Sequence, residues 1–252
     1  MAMNYNEREL RKLGDGDLAK IISGVHDAFQ KRHPDMRDIA LPVAAQAASK
    51  REPQLTPVEV LTFEPFTAED REKLRVEGGV VYTLEGQSMR GQKDSGRRFW
   101  STWHDGQEIE LMTSRLIDIV IYPQDFFVSG TFGQSKPRQE ELVRKSGQET
   151  QAKLGIEGYE EILPELPEAT EVMFRHFDTT GVRLLGEDYR DPVNGYWRYI
   201  RTNTPTKPAG SDVADVGHFV ADYGPGVRGW YVHGSNGSLS AARWGVKVRG
   251  IG

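Results

Sequence analysis

Apolar and polar positions follow two periods along this chain, and the switches between them mark its segments. Leu18, Ile21, Ile22, Val25 and Phe29 recur at helical spacing. With Asp15 or Asp17 as cap, they predict a helix to about Arg32, ended by His33-Pro34 because the residue before proline avoids helical geometry. The Ala-rich stretch Met36 to Lys50 predicts a second helix, bent at Pro42. Residues 1–50 thus read as a helical N-terminal arm, and Arg51 to Pro57 as a linker. Residues 58–252 read as one cooperative domain. Strands are predicted at Val58–Phe63 and Val80–Leu84. Between them Thr67 caps a short charged helix, with Asp70 three residues on in the capping-box position. The Gly- and cation-rich residues 86–98 predict a solvated loop, followed by an aromatic knot of Phe99, Trp100 and Trp103.

Ile117 to Tyr122 is a continuous apolar run of strand length and predicts a central strand. Ser135 to Leu154 predicts an amphipathic helix with Pro137 in its first turn. A second helix is predicted from Pro167 to Thr180, stopped by Gly181. His176 and Asp178 lie two apart on it, point in different directions, and form no acid–base dyad. Tyr196 to Arg201 returns to strand. Strands, two helices and closing strands make an α+β order rather than alternating βα units.

The tail from Ser211 to Val246 departs from the rest of the chain. It sets Phe219, Tyr223, Trp230, Tyr231 and Trp244 among glycines, serines, Asn236, His218 and His233. Rigid rings give contact area at low entropic cost, and small polar residues adapt their hydrogen bonds, so the mixture suits a binding surface as well as a Gly-rich meander. From Pro208 to Val246 no Glu, Gln, Lys or Met occurs, although these four make up 49 of the 252 residues.

Composition narrows the function. A net charge of −5 gives no basic footprint for nucleic acid. The absence of cysteine excludes disulfides, thiolate metal sites and cysteine catalysis. The polar N-terminus lacks the apolar core of a secretory signal, and no run reaches the ~18 apolar residues of a spanning helix. Synthesis in the cytoplasm is expected, without membrane insertion; the final site of action is left open.

The series LPEATEVMFRHFDTTGVRLLGEDY, GYWRYIRTNTPT and DVGHFVADYGPGVRGWYVHGSNGSLSAARWGVKVRG resembles the C-type-lectin-fold variable proteins of diversity-generating retroelements. It is similar also to the broader formylglycine-enzyme-like domains of that fold. The resemblance spans about Val58 to Gly252 and leaves the arm unaccounted for. It implies a C-type lectin-like fold, with two helices and a mixed, mostly antiparallel sheet, and a variable region at about 211–246. It also implies error-prone copying of template adenines, which rewrites asparagine-type codons but does not reach Glu, Gln, Lys, Met or Trp. The first four are the types missing from the tail, and Trp230 and Trp244 would be fixed scaffold. Two departures limit the likeness. The short Ca²⁺-holding motifs of the sugar-binding branch do not occur, Pro123-Gln124-Asp125 having the wrong order. The cysteines of the oxidising branch are absent.

The reading is a non-enzymatic protein that binds a protein or surface ligand, with no cofactor and no metal. Its binding surface is assigned to Tyr231, His233, Ser235, Asn236, Ser238, Ser240 and Arg243, with Asp222, Tyr223 and Arg228 from the preceding turn. Alternation would point Tyr231 and His233 outward and Val232 inward, over a support of Trp230, Leu239 and Trp244. Two alternatives stay open. One is a hydrolase using a carboxylate pair such as Asp188 and Asp191, or the Asp222 group. The other is a structural phage or surface-assembly component.

Overall fold

The run IDIVIY becomes a strand because its apolar side chains are buried, while its one carboxylate, Asp118, is satisfied by Arg71, Thr83 Oγ1 and Phe66 N–H. In the computed structural model, which describes residues 62–102, 107–206 and 210–249, Asp118–Ile121 forms strand β4 and all four residues are buried. The predicted arm and linker, the start of the Val58–Phe63 strand, and Trp103 lie outside the described residues.

Strand β4 belongs to a five-stranded sheet with β1 (Phe63–Glu64), β2 (Val80–Thr83), β5 (Tyr159–Glu161) and β10 (Trp244–Val248). Strand β10 is its hub. Gly245 pairs with Val120 of β4 and with Glu161 of β5, so those strands flank it on opposite sides. Lys247 pairs with Tyr159 and with Glu64, which places β1 end to end with β4 along one side. Strand β2 runs antiparallel to β4 on the outer edge. A second five-stranded sheet has the order β3 (Ser101–Thr102), β8 (Gly224–Tyr231), β7 (Asp212–Val220), β6 (Tyr199–Pro205) and β9 (Leu239–Ser240). Its three long strands form an antiparallel meander, and β3 and β9 add in parallel at the two edges.

Five α-helices occur among the described residues, so the chain is α+β. Helix α1 (Ala68–Val76) starts with the expected reciprocal capping box between Thr67 and Asp70. Helix α2 (Met89–Asp94) corrects the expectation of a loop over 86–98: Ser88 caps it by accepting from Gly91 N–H, and Met89 and Gln92 anchor it. With only one apolar residue in its six, it has no period to read. Helix α3 (Gln107–Leu111) is a short connector.

Helix α4 (Lys136–Leu154) matches its predicted span, with a left-handed Gly155 at its end. Helix α5 (Leu166–Thr180) ends on Gly181 at φ 74°. It packs on β6 and β7, burying Leu166, Ala169, Val172, Met173 and Phe174 in a core shared with Ile119, Ile121, Ile200, Val216, Phe219 and Trp244. This core joins the two sheets. Helix α5 also buries two carboxylates. Glu168 is paired with Arg115 and accepts from Glu165 N–H. Glu171 accepts from the N–H groups of Glu85 and Gln87, from Ser114 Oγ and from Arg175. Both are consumed in stapling loops to the helix. His176 donates or accepts at Tyr82 Oη, 2.7 Å away, while Asp178 turns out to Arg97, so the two form no dyad. Among the described residues no helix is long and apolar enough to cross a membrane.

Candidate functional site

The tail residues assigned to one surface divide among three places. Asp222 and Tyr223 sit exposed at the tip of the β7–β8 hairpin, where Asp222 O accepts from Arg98. Tyr231 lies at the opposite end of the hairpin, paired with Asp212. At ~3.3 Å per residue the two ends stand roughly 25 Å apart. Ser240 is wholly buried and shares a 2.6 Å hydrogen bond with Thr131 Oγ1. It cannot face a ligand; its position in β9, beside β6, turns it inward. Arg243 is likewise a framework residue. It bonds to Asp125, Thr150 and Glu161 and lies 4.1 Å over the Tyr122 ring, among partners 82 to 121 residues away in the chain. The expected strand alternation is also corrected: β8 stops at Tyr231, and Val232 and His233 are in a turn.

What remains together is the loop from Tyr231 to Ser238. Its course is set from beneath by Arg201, a fully buried guanidinium in β6. Nε donates to Gln139 Oε1 at 2.8 Å, Nη1 to the carbonyl of Tyr231 at 2.9 Å and Nη2 to that of Gly234 at 3.0 Å. Burial draws the Arg201 pKa below its usual value, against the pull of Asp215 and Glu140. Backbone bonds fix the rest: Val232 N–H to Ser211 O, Lys136 N–H to Val232 O, Tyr199 N–H to Ser238 O and Leu239 N–H to Asn236 O. The side chains of His233 and Ser235 are exposed and make no hydrogen bond among the described residues. Asn236 is the exception, its Oδ1 accepting from both N–H and Oγ of Ser238. Trp244 and Leu239 are fully buried supports, and Trp230 is half-buried. Gly234 lies so close to Trp230 that a Cβ there would come within 2.9 Å of the indole nitrogen.

Beside the loop opens a cleft of about 470 Å³, bounded on one side by Asn236, Gly237 and Ser238. Its other walls come from Trp100, from Asn194, Tyr196 and Trp197, and from Tyr199, His218 and Arg228. His218 lines it between Trp100 and Trp197. The β7–β8 register slips between Gly217 and Val220, and this bulge holds His218 at φ 52°, an uncommon conformation for a residue with a side chain. Its ring lies 3.9 Å from that of Trp197 and 4.5 Å from that of Trp100. Burial, then the nearby Arg190 and Arg228, hold the imidazole below its ordinary pKa, so it is neutral at pH 7. The Arg190 guanidinium sits 3.9 Å over Trp197. That of Arg228 sits 3.4 Å over Tyr199, while Nε and Nη2 both donate to Asp215 Oδ2 at 2.9 and 2.6 Å. Asp215 is fully buried; burial raises its carboxyl pKa above the usual range, and Arg228 opposes that shift.

Of the residues chosen from sequence, Arg228, Asn236 and Ser238 line this cleft; Trp100, Asn194, Tyr196, Trp197 and Tyr199 were missed as site residues. The carboxylates of the hydrolase alternative do not gather there. Asp191 Oδ1 accepts from the N–H groups of Val193 and Asn194, bonds that hold its carboxyl below the usual range, and Asp188 lines a separate cleft with Phe127 and Arg198. Among the described residues no group of three His, Asp or Glu side chains is placed to hold a metal ion. No family model, curated protein or solved structure matches the chain.

Proposed function

We propose that this chain is a non-enzymatic ligand- or receptor-binding protein with a C-type lectin-like fold. The binding surface is the Tyr231–Ser238 loop together with the aromatic cleft it borders. One observation carries the reading: the loop's course depends on main-chain hydrogen bonds and on the buried Arg201, not on His233 or Ser235. A loop held in this way keeps its shape while its exposed side chains change, because surface substitutions outside special contacts usually cost within ±0.5 kcal/mol. The antiparallel pairing of β1 with β10, which brings the first and last described strands together, supports the lectin-like reading of the fold, as do the two long helices. The lack of Glu, Gln, Lys and Met from Pro208 to Val246 supports diversification by a retroelement.

The test is a display library randomised at His233, Ser235 and Ser238. Most clones are expected to fold, and selection against an arbitrary protein target is expected to yield binders whose affinity vanishes when the loop reverts. Binders that survive reversion would place recognition elsewhere. A reverse-transcriptase gene beside a near-copy of the sequence coding 211–246 tests the diversification reading separately.

A further inference from the structure

The cleft's chemistry is one-sided. It offers hydrogen-bond donors and ring faces, and no Asp or Glu lines it. The Oδ1 atoms of Asn194 and Asn236 each accept from backbone N–H, of Tyr196 and Ser238 respectively. That use fixes both amides, since exchanging O and N would set donor against donor. Their Nδ2 groups are left with no partner among the described residues. Arg228 behaves alike. Two of its nitrogens are spent on Asp215, and Nη1 makes no hydrogen bond there and is not buried. The bond from two nitrogens to one buried carboxylate oxygen, with Tyr199 stacked beneath, locks the guanidinium plane before any ligand arrives.

The rings divide in the same way. Trp197 is engaged by His218 and by Arg190, so it serves as a wall. Trp100 and Tyr196 are 44% and 66% exposed and keep surface for a new partner. Fixed donors beside open aromatic faces fit one kind of group. We infer that the cleft binds a carboxylate borne by an aromatic group, its ring against Trp100 and Tyr196 and its carboxylate taking hydrogen bonds from Arg228 and the Asn194 and Asn236 amides. A planar carboxylate matches planar guanidinium and amide donors, and the ring explains the aromatic walls, which a bare phosphate would leave unused. The cleft also has room for a ring with a short substituent. Two sources share this chemistry: a free aromatic acid, and an aromatic residue at the C-terminus of a protein. The inference rests on the cleft half of the proposed binding surface and takes from the loop only Asn236, which the library leaves unchanged.

Calorimetry and tryptophan fluorescence on the full chain would compare 4-hydroxybenzoate with 4-hydroxybenzamide, and N-acetyl-tyrosine with N-acetyl-tyrosinamide. Saturable binding of at least one acid is expected, with its amide at least tenfold weaker. Trp100→Ala and Arg228→Lys are each expected to weaken the acid tenfold or more, in proteins whose melts show them folded. Trp100 is exposed enough for its variant to fold even where the Arg228 variant does not. Stronger binding of N-acetyl-tyrosine would assign the ligand to a protein C-terminus, and stronger binding of 4-hydroxybenzoate to a free acid. Equal affinity for acid and amide, no saturable binding, or indifference to Trp100→Ala would each overturn the inference. Acids that fail while the loop library yields binders would remove this inference alone. Acids that bind while the library yields none would remove the loop reading and leave the cleft.

Discussion

Replacing Arg201 by methionine tests the idea that the loop is shaped from below. Methionine retains most of the buried stem and removes all three donors. Gln139 Oε1 and the carbonyls of Tyr231 and Gly234 then lose their partner. An acceptor left unsatisfied in the interior costs about 1–3 kcal/mol. Gln139 is fully buried and bears the full cost, whereas water reaches the loop carbonyls once the loop relaxes. A loss of about 3 kcal/mol follows, which for a domain of this size lowers Tm by roughly 6–12 °C. Replacing His233 and Ser235 together by alanine removes no hydrogen bond of theirs among the described residues, and is expected to cost less than about 1 kcal/mol. Calorimetric melts give both numbers. Hydrogen exchange at the amides of residues 231–236 gives the location, with faster exchange expected only in Arg201→Met. An Arg201→Met protein melting within about 2 °C of the parent, with unchanged exchange in the loop, would refute the clamp.

Other expectations follow from the same geometry. Trp244→Ala should cost about 3–5 kcal/mol, and Trp230→Ala less because that ring is only half-buried; comparing denaturant midpoints tests the order. Gly147→Ala should destabilise although alanine favours helices, since its Cβ would lie 2.6 Å from Glu161 N; a higher Tm would contradict the close α4–β5 packing. Asn236→Ala should cost about 1 kcal/mol by removing the acceptor for Ser238, a loss that Asn236→Asp should largely avoid. Burial holds the His176 pKa below its usual value, so the unfolded chain takes up this proton first as pH falls through about 6.5. Stability from this group is full above that pH and is lost below it; Tm should therefore fall more steeply from pH 7.5 to 5 in the parent than in His176→Gln.

The parts of the fold legible in the sequence were those decided locally. The two long helices carry their own stops in Gly155 and Gly181, and β4 is a run too apolar to lie anywhere but inside. Strand ends were less legible: the strand expected at Tyr196–Arg201 runs from Tyr199 to Pro205, because pairing with β7 sets its limits. The cleft was hidden for a stronger reason. Trp100 and His218 are 118 positions apart, and a bulge aims His218 at Trp100, so neither residue signals the other. Ser240 and Arg243 were misplaced because serine and arginine favour surfaces on average. What turned them inward was Thr131 and Glu161, more than 80 residues upstream. Asp222 and Tyr223 are near Tyr231 in the chain and far from it in space, since a hairpin strand separates its ends by its full length.

Strand β10 lies only a few residues beyond the loop, yet it is the strand on which β1, β4 and β5 all pair. During synthesis the first sheet therefore cannot close until residues 244–248 have left the ribosome, and β1, β4 and β5 wait for the strand that joins them. The order of the two segments also ties the sheet to the reading frame of the loop. A frameshift or premature stop anywhere in residues 231–238 deletes or scrambles the hub, so its product cannot complete the sheet. A missense change in the same loop leaves the hub intact. Closure of the first sheet thus depends on the reading frame through residues 231–238, and not on the exposed side chains of His233 and Ser235.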